Sequence, residues 1–123
     1  MSYILVVDDD TNFRQMLCQT LERAGYRVVE AEDGNVAIKA CETEVPGLVI
    51  TDIIMPEKEG LETIQEIRAK YPEVNIIAMS GGGRISPDSY LPLAKGLGAV
   101  KTLQKPFRRE EVIKAVQELF PQE

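Results

Sequence analysis

Short apolar runs punctuate this chain, and each one leads into a polar group. Ile4-Leu5-Val6-Val7 leads into Asp8-Asp9, and Leu48-Val49-Ile50-Thr51 into Asp52. Ile76-Ile77-Ala78-Met79 leads into Ser80, and Val100-Lys101-Thr102-Leu103-Gln104 into Lys105-Pro106. Apolar runs of this length, alternating with helical patterns, read as parallel strands buried on both faces. In open α/β sheets the ligand site lies outside the carboxyl ends of the strands. Three carboxylates, a hydroxyl and an ammonium are then delivered to one edge, a set suited to a hard cation and a phosphoryl group.

The alternation repeats five times, without a linker or an internal repeat. Tyr3 to Val7 is the first strand. A helix follows from about Asn12 to Ala24, with Phe13, Met16, Leu17 and Leu21 at helical spacing and Gly25 as its stop. Arg27 to Glu30 is more polar, as suits a strand at the sheet edge. Asp33 is placed to cap a second helix that carries Val36, Ala37, Ala40 and Cys41 inward. Pro46-Gly47 turns into the strand Leu48 to Thr51. A loop through Met55-Pro56 leads to a third helix with the stripe Leu61, Ile64 and Ile67, ended by Tyr71-Pro72. Asn75 to Met79 is the fourth strand, followed by Gly81-Gly82-Gly83. A fourth helix, near Pro87 and Pro92 and closed by Gly96 and Gly98, precedes a fifth strand from Ala99 to Gln104. A fifth helix, Arg108 to Phe120, buries Val112, Ile113, Val116 and Leu119. The order predicts a three-layer α/β sandwich with right-handed crossovers.

Composition narrows the function classes. A chain of 123 residues is the size of one domain with a real core. Its net charge of -6 argues against non-specific nucleic-acid binding. No apolar run is long enough to span a bilayer, and Met1-Ser2-Tyr3-Ile4 carries no basic signal-peptide region. The expected setting is cytoplasmic. The chain has no histidine, which excludes a Ser-His or Cys-His nucleophilic pair within it. The two cysteines, Cys18 and Cys41, have no zinc-site spacing.

Each motif alone has a plainer reading. Asp8, Asp9 and Asp10 fit a helix cap as well as a site. Most Gly-rich turns are only turns, and Ser80-Gly81-Gly82-Gly83 lacks the Gly-Lys-[Ser/Thr] of a P-loop. Lys105-Pro106 fits a strand exit, and the acidic residues Glu57, Glu59, Glu62 and Glu66 fit a solvated helix face.

Taken together, in this order and spacing, the motifs resemble those of the response-regulator receiver domain, the phosphoacceptor module of two-component signalling and the CheY-like superfamily. They are Val-Val-Asp8-Asp9, Asp52-Ile53-Ile54-Met55-Pro56, Met79-Ser80-Gly81, Gly98-Ala99 and Lys105-Pro106-Phe107. The resemblance covers nearly the whole chain and implies one receiver domain over residues 1–123, with no output domain visible. It implies a flavodoxin-like sandwich whose five parallel strands run in the order 2-1-3-4-5, with five helices. That order places Cys18 and Cys41 on opposite sides of the sheet, unable to pair. The resemblance also implies a cis Lys105-Pro106 bond.

The same resemblance assigns roles. Asp52 accepts the phosphoryl group. Mg2+ (or Mn2+) is held by Asp9, Asp52 and the backbone carbonyl of Ile54, with Asp8 acting through a bound water. Ser80 and Lys105 receive the phosphoryl oxygens and carry the switch. Such a domain takes its phosphoryl group from a histidine kinase or phosphotransfer protein, and signals to an output protein or an attached output domain. It needs neither direct nucleic-acid contact nor a membrane, and its only catalysis is of its own phosphorylation and dephosphorylation. Two other classes compete with this reading. A receiver-like binding module independent of phosphorylation would not need the full Asp8, Asp9, Asp52, Ser80 and Lys105 set. An aspartate-nucleophile phosphatase would carry a second aspartate where Ile54 stands.

Three positions depart from the common pattern of the family. Thr102 replaces the aromatic residue that usually reports the switch, so coupling runs through a Thr102 hydrogen bond or through the glycine loop and the fourth helix. Ile54 and Gly82, two residues beyond Asp52 and Ser80, offer no side-chain group to orient an attacking water. Orientation is worth several kcal/mol in such a step. Phosphorylation is therefore expected to be long-lived, and Ile54→Asn and Ile54→Glu to hasten loss of labelled phosphate. An unchanged decay rate in both variants would show that position 54 does not control lifetime.

Overall fold

Strands that are apolar along their whole length need cover on both faces, and here helices supply it. The structure, a computed structural model, describes residues 2–53, 60–81, 95–96 and 98–121. The strands are β1 (Ile4–Val7), β2 (Val28–Ala31), β3 (Leu48–Asp52), β4 (Asn75–Gly81) and β5 (Lys101–Lys105). The helices among the described residues are α1 (Thr11–Arg23), α2 (Gly34–Thr43), α3 (Gly60–Lys70) and α4 (Arg109–Leu119). The strands form one parallel sheet in the order β2-β1-β3-β4-β5, the flavodoxin-like order. The helix expected near Pro87 and Pro92 falls largely outside the described residues, as does the loop of Ile54, Met55, Pro56, Glu57 and Glu59. Lys95 and Gly96 are helical.

Successive strand residues point to opposite faces, and the core divides accordingly. Leu5 and Val7 of β1 pack with Ala37, Ile38 and Cys41 of α2 and Ile64 and Ile67 of α3. Ile4 and Val6 pack on the other face with Leu17, Cys18 and Leu21 of α1 and Val112 and Val116 of α4. The two cysteines are therefore on opposite sides of the sheet and free, as the strand order required. Burial pushes the Cys18 thiol up to about 12 and the Cys41 thiol up to about 11.

Helix boundaries follow local chemistry. Asp10 and Asp33 cap α1 and α2, accepting the backbone N–H groups of Phe13 at 3.1 Å and Val36 at 2.9 Å. Gly25, at φ 100°, ends α1 in a turn in which the Tyr26 N–H reaches the Leu21 carbonyl at 3.1 Å. Glu111 accepts the Arg108 backbone N–H at the start of α4. At the other end of α3, the Arg68 guanidinium donates to the carbonyls of Pro72 and Gly98, tying α3 to the turn before β5.

Two helix faces differ from the sequence reading. Met16 is 56% exposed and Val36 36% exposed, while Cys18 and Ile38 are buried. A helix turns about 100° per residue, so residues two apart lie nearly opposite one another. Burying Cys18 and Ile38 turns Met16 and Val36 outward. In α4, Ile113 and Leu119 lie at the margin of the core rather than within it. β2 is the sheet edge, as its polarity predicted, shifted by one residue to end at Ala31.

Candidate functional site

The register fixes where the polar groups end up. Val7 stands beside Thr51, Asp52 beside Met79, and Gly81 beside Lys105. Asp52 and Lys105 are the last residues of their strands, and Ser80 lies inside β4. The sequence had placed all three just beyond the strands. They are better fixed than that reading implied, because the sheet ladder holds their backbones.

The acidic run after β1 divides into three roles. Asp8 is buried, with 1% exposure. Its Oδ1 accepts the Asp10 N–H at 2.9 Å, and its Oδ2 accepts the Lys105 ammonium at 2.7 Å. Asp9 is exposed. Asp10 is the α1 cap, so the plainer reading of this run holds for Asp10. The backbone carbonyl of Asp8 is held from behind by Arg14 Nη1 at 2.7 Å, while Arg14 Nε pairs with Glu30 of β2 at 2.8 Å. Sequence reasoning missed Arg14. The available signal was a cation near the N-terminus of a helix, where the dipole disfavours it.

One carboxylate oxygen each from Asp8, Asp9 and Asp52 lies within 4.8 Å of the other two. Like charges this close disfavour joint ionisation. The Asp52 carboxyl is held above its ordinary pKa, first by burial and also by the charge of Asp8. Lys105 and the Ile53 N–H, donating to Asp52 Oδ1 at 2.8 Å, pull the other way. Burial works against the Lys105 ammonium, but its hydrogen bond to Asp8 and the charges of Asp52 and Asp8 win and raise its pKa. Lys105 approaches Asp8 more closely than Asp52, at 2.7 Å against 3.4 Å.

An all-oxygen set with two or more carboxylates suits a small hard cation. Both Asp8 oxygens already accept protein hydrogen bonds, whereas Asp9 faces solvent. The donor set of Asp8, Asp9 and Asp52 fits a divalent ion, with Asp9 the most open of the three. Ile54, the remaining expected ligand, lies outside the described residues. Ser80 is 3% exposed, one residue beyond Met79, the partner of Asp52. Thr102 is half-buried beside Ala78. The Lys105-Pro106 bond is cis, as expected.

α3 begins against this site. The Gly60 N–H donates to the Ile53 carbonyl at 2.7 Å. A Cβ on Gly60 would stand 1.9 Å from the Asp52 carbonyl oxygen and 2.6 Å from Ile53 Cα. Only a residue without a side chain fits there.

Comparison with known proteins places this arrangement. The family model described as "Response regulator receiver domain" matches residues 4–117. The response regulator receiver protein CpdR of Brucella abortus is 31% identical over 122 residues, covering 98% of each chain. The alkaline phosphatase synthesis transcriptional regulatory protein PhoP of Bacillus subtilis is 37% identical over 109 residues, 89% of this chain but 44% of that one. Among solved structures, the receiver domain of NtrX from Brucella abortus superposes with a TM-score of 0.89 at 28% identity, covering 98% of this chain and 99% of that one. Response regulator TrrA of Thermotoga maritima, solved in complex with Mg2+ and BeF, gives a TM-score of 0.86 at 34% identity, covering 98% of this chain and all of that one, 100%.

The seat of α3 behind Asp52 makes a definite prediction. Gly60→Ala forces the helix start away from β3 and is expected to lower stability by about 1–3 kcal/mol, the usual cost of overpacking. Urea unfolding measures it. An unchanged midpoint and slope would show that α3 moves aside without cost.

Proposed function

The chain belongs to the response regulator receiver domain family of two-component systems, and on that premise we propose that it is a phosphoacceptor that takes a phosphoryl group onto Asp52. The observation that carries this reading is the Lys105 ammonium. It lies between Asp8 and Asp52, facing a cluster that already holds more negative charge than one cation balances.

In the proposed reaction an Asp52 carboxylate oxygen attacks phosphorus. The bond from phosphorus to the donor breaks, and its electron pair leaves with the donor group, an imidazole in a histidine kinase or phosphotransfer protein. Catalysis of this kind is mostly positioning and charge neutralisation. Asp9, Asp52 and the Ile54 carbonyl would hold Mg2+, which when bound neutralises charge on the carboxylates and the incoming phosphoryl oxygens. Asp8, with both oxygens already accepting hydrogen bonds, orients Lys105 and would act on a bound ion through water. Lys105 exchanges part of its contact with Asp8 for a phosphoryl oxygen. The Ser80 hydroxyl donates to another, drawing the chain after β4 toward the site, a local charge event with a distant readout. The TrrA complex with Mg2+ and BeF, in a protein of this fold at 34% identity, supports this reading.

The output is an interaction with a partner protein or an attached output domain. The chain spans 44% of PhoP, a named transcriptional regulator, which supports the second arrangement, and 98% of CpdR, which supports the first.

Asp52→Asn removes the nucleophile but keeps its shape. It is expected to abolish labelling by acetyl phosphate in the presence of Mg2+, with an unchanged far-ultraviolet circular dichroism spectrum. Undiminished label on the variant would move the acceptor role to Asp8 or Asp9.

A further inference from the structure

Lys105 is held by more than carboxylates. Its Nζ stands 4.1 Å from the centre of the Phe13 ring in the first turn of α1. A cation within about 6 Å of a ring face is attracted by the ring quadrupole, more strongly when shielded from water. The Lys105 side chain is only 17% exposed.

Phe13 is itself fixed on two sides. Its backbone N–H is capped by Asp10 at 3.1 Å, so the ring is carried by the same acidic turn that supplies Asp8 and Asp9. Its ring meets Phe107, two residues beyond Lys105, edge to face, with centroids 5.7 Å apart and planes at 85°. That is a preferred geometry for an aromatic pair. The start of α1 and the chain after β5 thus meet through two rings, one of which faces Lys105.

We propose that Phe13 is a positioning residue for Lys105, its ring face holding the ammonium in the notch between Asp8 and Asp52. The proposal rests on the phosphoacceptor reading of Asp52. A lysine ammonium is a point charge on a flexible four-carbon stem. Asp8, the nearer carboxylate, would by itself draw that charge away from Asp52. The ring opposes this without adding negative charge to a site that already has too much. It also imposes no fixed hydrogen-bond direction, so the ammonium can pivot toward a phosphoryl oxygen while remaining over the face.

A plain packing role is the competing explanation, because Phe13 also borders the core cluster beneath α1. Packing needs the volume of the ring, whereas holding a cation needs its electrons. Replacing Phe13 in the full chain by mono-, di- and trifluorinated phenylalanines keeps the shape and drains the ring face. The initial rate of labelling by acetyl phosphate at saturating Mg2+ is expected to fall stepwise along the series, by about fivefold in total. NMR of isotope-labelled lysine supplies a second reading: the Lys105 ε-methylene protons should be displaced upfield in the parent and lose that displacement in Phe13→Leu. Phe13→Tyr, which keeps the face, should restore both rate and shift.

A labelled parent with a flat rate across the fluorinated series refutes the role of Phe13 alone. Lys105 shifts that are the same in the parent and in Phe13→Leu refute the contact itself. A parent that shows the upfield shift but accepts no label refutes the phosphoacceptor reading, and the positioning role with it.

Discussion

The bridge from Lys105 to Asp8 and Asp52 joins β5 to the ends of two strands with which it does not pair. β4 lies between β5 and β3, and β1 lies beyond β3. A contact between residues 97 positions apart in sequence therefore closes the carboxyl edge of the sheet. Without the ammonium, three carboxylates would share one edge uncompensated, and burial of Asp52 would sharpen the conflict. Removing one partner of a buried ion pair costs more than the pair itself contributes, because a charge is left unmatched. The half-buried position of Lys105 softens that cost but does not change its sign.

The rest of the described structure supports that edge. β1 is buried along its whole length, and β3 is buried until Asp52. Helices α1 and α4 cover one face, and α2 and α3 cover the other. Arg14 holds the Asp8 carbonyl, the Asp10 cap anchors the turn between them, and Gly60 lets α3 sit directly against Asp52. A site carried on strand ends and helix starts keeps its geometry better than one carried on loops. Under the proposed function, a phosphoryl group on Asp52 would meet two hydrogen-bonded carboxylates, Asp8 and Asp52, with the Lys105 ammonium in contact with both.

Much of this was legible in the sequence, for identifiable reasons. The alternation of buried strands and helices followed from the apolar runs, and the strand order came with the resemblance that the receiver motifs carry. The polar Arg27 to Glu30 segment announced an edge strand. The separation of Cys18 from Cys41 followed from topology alone. What was not legible depended on rotation about an axis or on tertiary approach. Helical spacing could not tell Met16 from Cys18, or Val36 from Ile38, because apolar residues occur on both sides of those helices. Asp8 as the closer partner of Lys105 depends on a difference of less than 1 Å between two strand ends, which no pattern encodes. Phe13 read as core because its spacing fits a core stripe, and nothing in sequence places it beside Lys105. Gly60 carries no distinguishing mark in the sequence, because the carbonyl it accommodates is eight residues away.

The most direct measurement is a structure of the protein with magnesium and beryllofluoride bound. The account predicts beryllium on an Asp52 carboxylate oxygen, Mg2+ on Asp9 and Asp52, and the Lys105 ammonium moved from Asp8 onto a fluoride. Beryllofluoride attached to Asp8 or Asp9, or Lys105 still hydrogen-bonded to Asp8 with no fluoride contact, would contradict it.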